Sequence, residues 1–187
     1  MPPSGRWAAG TAMAMARQFH TATLLENGAV LVVGGTSFNG DLASVELYDP
    51  VSDLWCTACP LATSRYYHSA TRLNNGCVLV AGGFNGIPLS DAELYEPAAN
   101  RSRAAGSLSA VRGLHSPTLL ADGHVLVTGG SAAVGVLNDA EMYDLAPAIT
   151  CRARSCTTQS VINGAQRAVC HRDANIAPRR CFRKTAY

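Results

Sequence analysis

A passage that reads HTATLLENGAVLVVGG from His20 returns as HSATRLNNGCVLVAGG from His68 and as HSPTLLADGHVLVTGG from His115. The three histidines stand 48 and 47 residues apart, and the glycine pairs Gly34-Gly35, Gly82-Gly83 and Gly129-Gly130 keep that spacing. A fixed period of this length marks a repeat architecture, in which each copy is one supersecondary unit and neighbouring copies bury each other's apolar faces. The recurrence also bears on function. A residue that returns in every copy is expected to build the unit rather than to carry out chemistry in it.

One copy divides into four strands. Thr21 to Leu25 mixes small polar and apolar residues and predicts the first. Asn27-Gly28 follows, with Asn75-Gly76 and Asp122-Gly123 in the later copies; such dipeptides suit two-residue hairpin turns with positive φ at both positions. Ala29 to Val33 is apolar throughout, which predicts a strand covered on both faces, and the paired glycines end it. A variable loop of about ten residues then leads to Val45-Glu46-Leu47-Tyr48, matched by Ala92 to Tyr95 and Ala140 to Tyr143. Asp49-Pro50 and Glu96-Pro97 make the next turn. A fourth strand starts near Trp55 and, for a preceding copy, near Trp7; Ser102 takes the tryptophan position in the next copy. Four antiparallel strands per repeat make one β-propeller blade, and blades stack face to face.

With 48% apolar residues the chain is suited to a globular core, and no apolar run reaches the ~20 residues that cross a bilayer. The first residues, MPPSGRWAAG, lack the pattern of a signal peptide, and Trp7 falls in register with Trp55, so the chain is expected to begin inside a repeat and to be a fragment of something longer. The net charge of +2 hides a division: residues 1–145 hold seven arginines against twelve acids, whereas 146–187 hold seven arginines and Lys184 against Asp173 alone. A boundary is therefore expected near Leu145. Residues 1–145 form the repeat region, with copies at about 17–64, 65–111 and 112–145, and 146–187 form a basic, Cys- and Arg-rich tail that is irregular or disordered.

His-Ser/Thr-Ala-Thr, the double glycine, Glu-Leu-Tyr-Asp-Pro and the later Trp resemble the kelch repeat over residues 5–145. The Asn-Gly-x-Val-Leu-Val-x-Gly-Gly variant is similar to the kelch arrays of bacterial, often secreted, proteins and of the galactose oxidase-like superfamily. The resemblance implies an all-β, partial and open propeller of about three four-stranded antiparallel blades. The repeat signature comprises Arg17, His20, Gly34, Gly35, Glu46, Tyr48 and Trp55 in the first copy. Arg65, His68, Gly82, Gly83, Glu93 and Tyr95 carry it in the second, and Arg112, His115, Gly129, Gly130, Glu141 and Tyr143 in the third.

Several groups invite a chemical reading. The recurrent histidines and glutamates could form acid–base pairs, but their presence in every copy favours hydrogen-bonding groups that fix the blade. Trp55-Cys56-Thr57-Ala58-Cys59 resembles the thioredoxin motif, yet lies in β-blade sequence without a βαβ pattern. Cys56 and Cys59 could join Cys151 and Cys156 as zinc ligands by count alone. A galactose oxidase-type copper site, as that resemblance implies, needs two tyrosines, one cysteine-linked, and two histidines; Tyr67-His68 is an adjacent pair, but no cysteine partner for a tyrosine stands out. The expectation is therefore no catalytic residue, no metal and no cofactor. The tail lacks the interleaved aromatics of a nucleic-acid binder, so nucleic acid is not an expected partner.

In a four-strand meander successive connections alternate between the blade's two ends. The Asn-Gly and Asp-Pro turns share one end; the loops after the double glycines and the linkers before each histidine share the other, variable end. That end carries Phe19, Phe38, Asn39, Asp41, Tyr66, Tyr67, Phe84, Asn85 and Leu114, the candidate surface for a protein or glycan ligand. The expected function is a non-enzymatic binding module. The alternatives are a fragment of a copper oxidase acting on carbohydrate, or a truncated product with no function of its own. Self-association through uncovered blade faces is expected as well.

Overall fold

In the computed structural model, residue 5 and residues 7–145 are described. The expected irregular tail at 146–187 lies outside them. The first repeat folds as β1 (Thr21–Leu24), β2 (Val30–Val33), a short hairpin of β3 (Thr36–Ser37) and β4 (Gly40–Asp41), then β5 (Val45–Asp49) and β6 (Leu54–Ala58). The second gives β7 (Ser69–Arg72), β8 (Val78–Ala81), the hairpin β9 (Phe84–Asn85) and β10 (Ile87–Pro88), β11 (Asp91–Glu96) and β12 (Arg101–Ser107). The third gives β13 (Ser116–Leu119), β14 (Val125–Thr128), the hairpin β15 (Ser131–Ala132) and β16 (Gly135–Val136), and β17 (Ala140–Tyr143).

Every strand pair is antiparallel, and two sheets are four-stranded meanders, β1-β2-β5-β6 and β7-β8-β11-β12. The innermost strands β1, β7 and β13 lie side by side, so the sheets stand as successive blades around an axis. No helix is present among the described residues, and no sheet closes. The array is an all-β, open, partial propeller. Its third blade shows three strands among the described residues, β13-β14-β17, where four were expected. Among the described residues no strand forms near Trp7, which is fully exposed, so the fourth strand expected there for a preceding copy does not appear.

Two apolar layers hold the blades together. Leu31, Val33 and Val45 of blade one meet Val78, Val80 and Tyr95 of blade two, and Leu79, Ala81, Ala92 and Leu94 on the other face of blade two meet Val125 and Val127 of blade three. Burying each large side chain contributes about 2 kcal/mol. β8 is buried at all four positions because both its faces are covered. β14 departs from the expectation of two-sided burial: Val125 and Val127 are buried, whereas Leu126 is half-buried and Thr128 exposed. Its outer face has no neighbouring blade among the described residues.

The hairpin turn also differs from expectation. Gly28, Gly76 and Gly123 have positive φ, but Asn27, Asn75 and Asp122 do not. Leu25 N–H donates to Ala29 O and Gly28 N–H to Leu25 O, so the connection has three residues, with glycine in the left-handed position. The Asn27 side chain accepts from Ala29 N–H at 3.1 Å, as Asp122 does from His124 N–H. The asparagine is selected as an acceptor rather than for its own φ.

Each joint between blades repeats one set of five hydrogen bonds. Between blades one and two, Leu61 N–H donates to Ala43 O, Arg65 N–H to Leu42 O, Gly35 N–H to Arg65 O and Tyr67 N–H to Phe19 O. The fifth links His68 Nε2 and Thr21 Oγ1 at 2.9 Å. Between blades two and three, Leu108, Arg112, Gly83 and Leu114 donate in the same way to Ser90, Leu89, Arg112 and Tyr67 carbonyls, and His115 Nε2 lies 2.8 Å from Ser69 Oγ. The double glycine is where one blade's backbone meets the next. A Cβ on Gly34 would stand 2.5 Å from Arg65 O, and one on Gly82 2.3 Å from Arg112 O.

Gly82→Ala is therefore expected to destabilise more than Gly86→Ala, by about 2 kcal/mol or more. Both glycines have positive φ, +57° and +68°, but a Cβ on Gly86 meets nothing within 4 Å. Urea denaturation of the two variants separates the crowding from the backbone strain they share.

Candidate functional site

The linker before each histidine is anchored by an arginine that turns into the blade. Arg65 is fully buried and donates to Gly82 O, to Asp91 and, at 3.1 Å, to Glu93. Arg112 donates equivalently to Gly129 O, Asp139 and Glu141, and Arg17 to Gly34 O, Ser44 and Glu46. The glutamates hold the chain from the other side. Glu93 accepts from Ala62 and Thr63 N–H, Glu46 from Ala14 and Met15 N–H, and Glu141 from Ser109 and Ala110 N–H. Each carboxylate thus joins a buried guanidinium to two linker amides, the pairing a buried charge requires. Ser102, in the place of the repeat tryptophan, donates to Glu93 at 2.6 Å.

Glutamate and histidine are not brought together as an acid–base pair. The histidines instead bridge blades through Thr21 and Ser69. Burial, followed by the neighbouring Arg65 charge, lowers His68 to about 3; burial and then Arg112 lower His115 to about 4. Both rings are neutral at neutral pH. His68, the histidine of the Tyr67-His68 pair, is engaged by Thr21. Among the described residues no three His, Cys, Asp or Glu side chains gather as metal ligands would. Cys59 is a free thiol while Cys56 is in a disulfide, so the two do not form a Cys-x-x-Cys pair.

On this frame the linkers and the glycine-pair loops come together at one end of the blades. Antiparallel bridges tie Gln18 to Thr36, Tyr66 to Phe84 and Gly113 to Ser131. Phe19, Tyr67 and Leu114 occupy one position in three copies, with φ of 57°, 53° and 57°. The left-handed turn points these side chains away from the blade core: Phe19 is 42% exposed and Leu114 58%. Phe19 and Tyr67 have ring centroids 4.2 Å apart, Tyr67 and Tyr66 5.3 Å, and Tyr66 and Phe84 5.8 Å. Four of the nine candidate residues therefore form one continuous aromatic cluster.

The two Phe-Asn-Gly stretches are not equivalent. Phe84 directly follows its glycine pair and lies over Gly113, where a Cβ would meet the ring at 2.1 Å. Phe38 lies two residues further along, at the tip of the β3–β4 hairpin, fully exposed beside exposed Asn39; Asp41 is in β4 and half-buried. Asn85 is exposed in β9. The other two hairpins place Ile87, Val134 and Val136 at the same end, 67%, 99% and 88% exposed. None of these three is among the nine residues expected at this end. The signal available was Val134-Gly135-Val136 in a loop between two strands.

The surface is a crown rather than a cavity. A cleft between blades two and three measures about 60 Å³, far below the ~300 Å³ at which small-molecule sites begin.

The neutral histidines give a definite pH dependence. With folded-state values near 3 and 4 against 6.5 for a free histidine, the unfolded chain takes up protons first as pH falls. Their contribution is complete above about pH 6.5 and is lost on acidification, at roughly 1 kcal/mol per pH unit for each ring around pH 5. Stability measured from pH 7 to 4.5 should fall along this slope, and His68→Gln with His115→Gln should flatten it.

Residues 27–58, from the first turn to the end of β6, match the family model of the Kelch motif. No curated protein matches the chain.

Proposed function

We propose that this open propeller of kelch repeats is a non-enzymatic binding module whose loop end engages a protein partner. The observation that carries the reading is the set of apolar side chains held in water at that end, Phe38, Ile87 and Val134 on three successive hairpins. Exposed apolar groups gathered on one face of a well-packed frame mark association sites. The Phe19–Tyr67–Tyr66–Phe84 cluster lies at the same end and offers rigid aromatic area, the material of interface hot spots. The recurrent polar residues are occupied in holding the frame, which leaves the variable loops as the part free to specify a partner. A flat crown of apolar tips suits a protein surface better than an isolated sugar, which needs hydrogen-bonding groups around it.

The variant Phe38→Ser, Ile87→Ser, Val134→Ser tests this. All three positions are exposed, so the melting temperature should not change. Immobilised wild-type chain should retain proteins from extract that the triple variant retains at least about tenfold less well, a loss of about 1.4 kcal/mol. Equal retention by both would reject the loop end as the binding surface.

A further inference from the structure

The two outer faces of the array are the two halves of the joint that the chain already makes twice within itself. At each internal joint one side supplies three linker N–H groups, a linker carbonyl and a histidine, and the other supplies three carbonyls, a glycine N–H and a hydroxyl. On the outer side of blade one the corresponding groups are the N–H of Met13, Arg17 and Phe19, the carbonyl of Arg17 and Nε2 of His20. On the outer side of blade three they are the carbonyls of Asn138, Leu137 and Leu114, the N–H of Gly130 and the hydroxyl of Ser116. None of these ten groups makes a hydrogen bond among the described residues.

The apolar halves match in the same way. Met142 of blade three is 60% exposed, while its counterpart Leu94 in blade two is wholly buried. Ala22 of blade one is exposed, while its counterpart Ala70 packs into the layer between blades one and two. The glycine pair gives a steric sign as well. A Cβ on Gly34 or Gly82 would collide with the next blade's arginine carbonyl, but on Gly129 the nearest atom is Leu137 O of the same blade, at 3.4 Å. Among the described residues, nothing fills at Gly129 the space that a following linker fills at both internal joints.

We propose that a second copy of this chain fills it. Blade one of each copy docks on blade three of the other, so that two copies close a ring of six blades. A heterologous contact ends in a ring when its rotation closes, and six blades fall within the four to eight that propellers adopt. The contact is separate from the loop-end surface, since it uses blade faces.

Size exclusion with light scattering on the full chain tests the proposal. The wild type should run as a dimer, at twice the 19.6 kDa protomer mass, over a wide concentration range. Met142→Glu and Ala22→Arg each change an exposed side chain, so the protomer fold survives, and each alone should give a monomer. Mixed in equal amounts they should regain a dimer, because one variant keeps an intact blade one and the other an intact blade three. Gly129→Ala, which meets no other blade within the protomer, should also give a monomer. The loop-end triple variant should remain dimeric. A monomeric wild type, a ladder of heavier species, or dissociation by only one of the two face variants would overturn the closed ring, the last pointing to a like-with-like contact.

Discussion

Arg65 shows what the rest of the molecule depends on. Its guanidinium is fully buried, and burying a charge is unfavourable unless hydrogen bonds and an opposite charge replace the lost water. The chain meets that requirement with atoms from separate elements: the carbonyl ending β8, the aspartate and glutamate of β11, and, through Glu93, the amides of the linker itself. Once the guanidinium is placed, the linker has one path. Arg65 O is then in position for Gly35 N–H of the previous blade, and His68, three residues on, reaches Thr21. The charge is held within a blade, and the bonds that follow from it hold one blade to the next.

Such an arrangement explains why the same residues return in every copy. Small variations keep the physics intact. Ser44 stands where Asp91 and Asp139 stand in the later blades and still accepts from its arginine at 3.1 Å. Ser102 loses the ring that Trp55 stacks on Tyr48, at 5.0 Å, and supplies a hydroxyl to Glu93 in its place. Variation is freest where no such contact is made, as on the hairpins between the second and third strands of each blade.

The strands were legible because their signals are periodic and local. The run Val30–Val33, the turn glycines and Glu46-Leu47-Tyr48 each fix an element without reference to anything distant. What was not legible depended on partners or on exact offsets. The shared Phe-Asn-Gly text suggests equal roles for Phe38 and Phe84, yet the number of residues after the glycine pair puts one at a hairpin tip and the other over Gly113. The hairpins β3–β4, β9–β10 and β15–β16 look like plain loops in the sequence, since two-residue strands leave no periodicity. Leu126 and Met142 have the same apolar character as Leu31 and Leu94, and only the position of blade three in the array leaves Leu126 half-buried and Met142 exposed. The candidate loop residues Phe19, Tyr67 and Leu114 were found as aromatic or apolar text; their shared left-handed backbone came only from the structure.

The central claim is that a buried arginine–carboxylate pair, and not apolar contact alone, sets the geometry of each joint. A double-mutant cycle on Arg65→Met and Glu93→Gln, followed by urea denaturation, addresses it most directly. Arg65→Met leaves the Glu93 carboxylate buried without its guanidinium and should lower stability by about 3 kcal/mol, and Glu93→Gln, which leaves Arg65 paired with Asp91, should lower it by less. The double variant should lose less than the sum of the two single losses, the difference being a coupling of about 2 kcal/mol. Losses that add to within about 0.5 kcal/mol would mean that the two side chains act independently, and the account of the joint would be wrong.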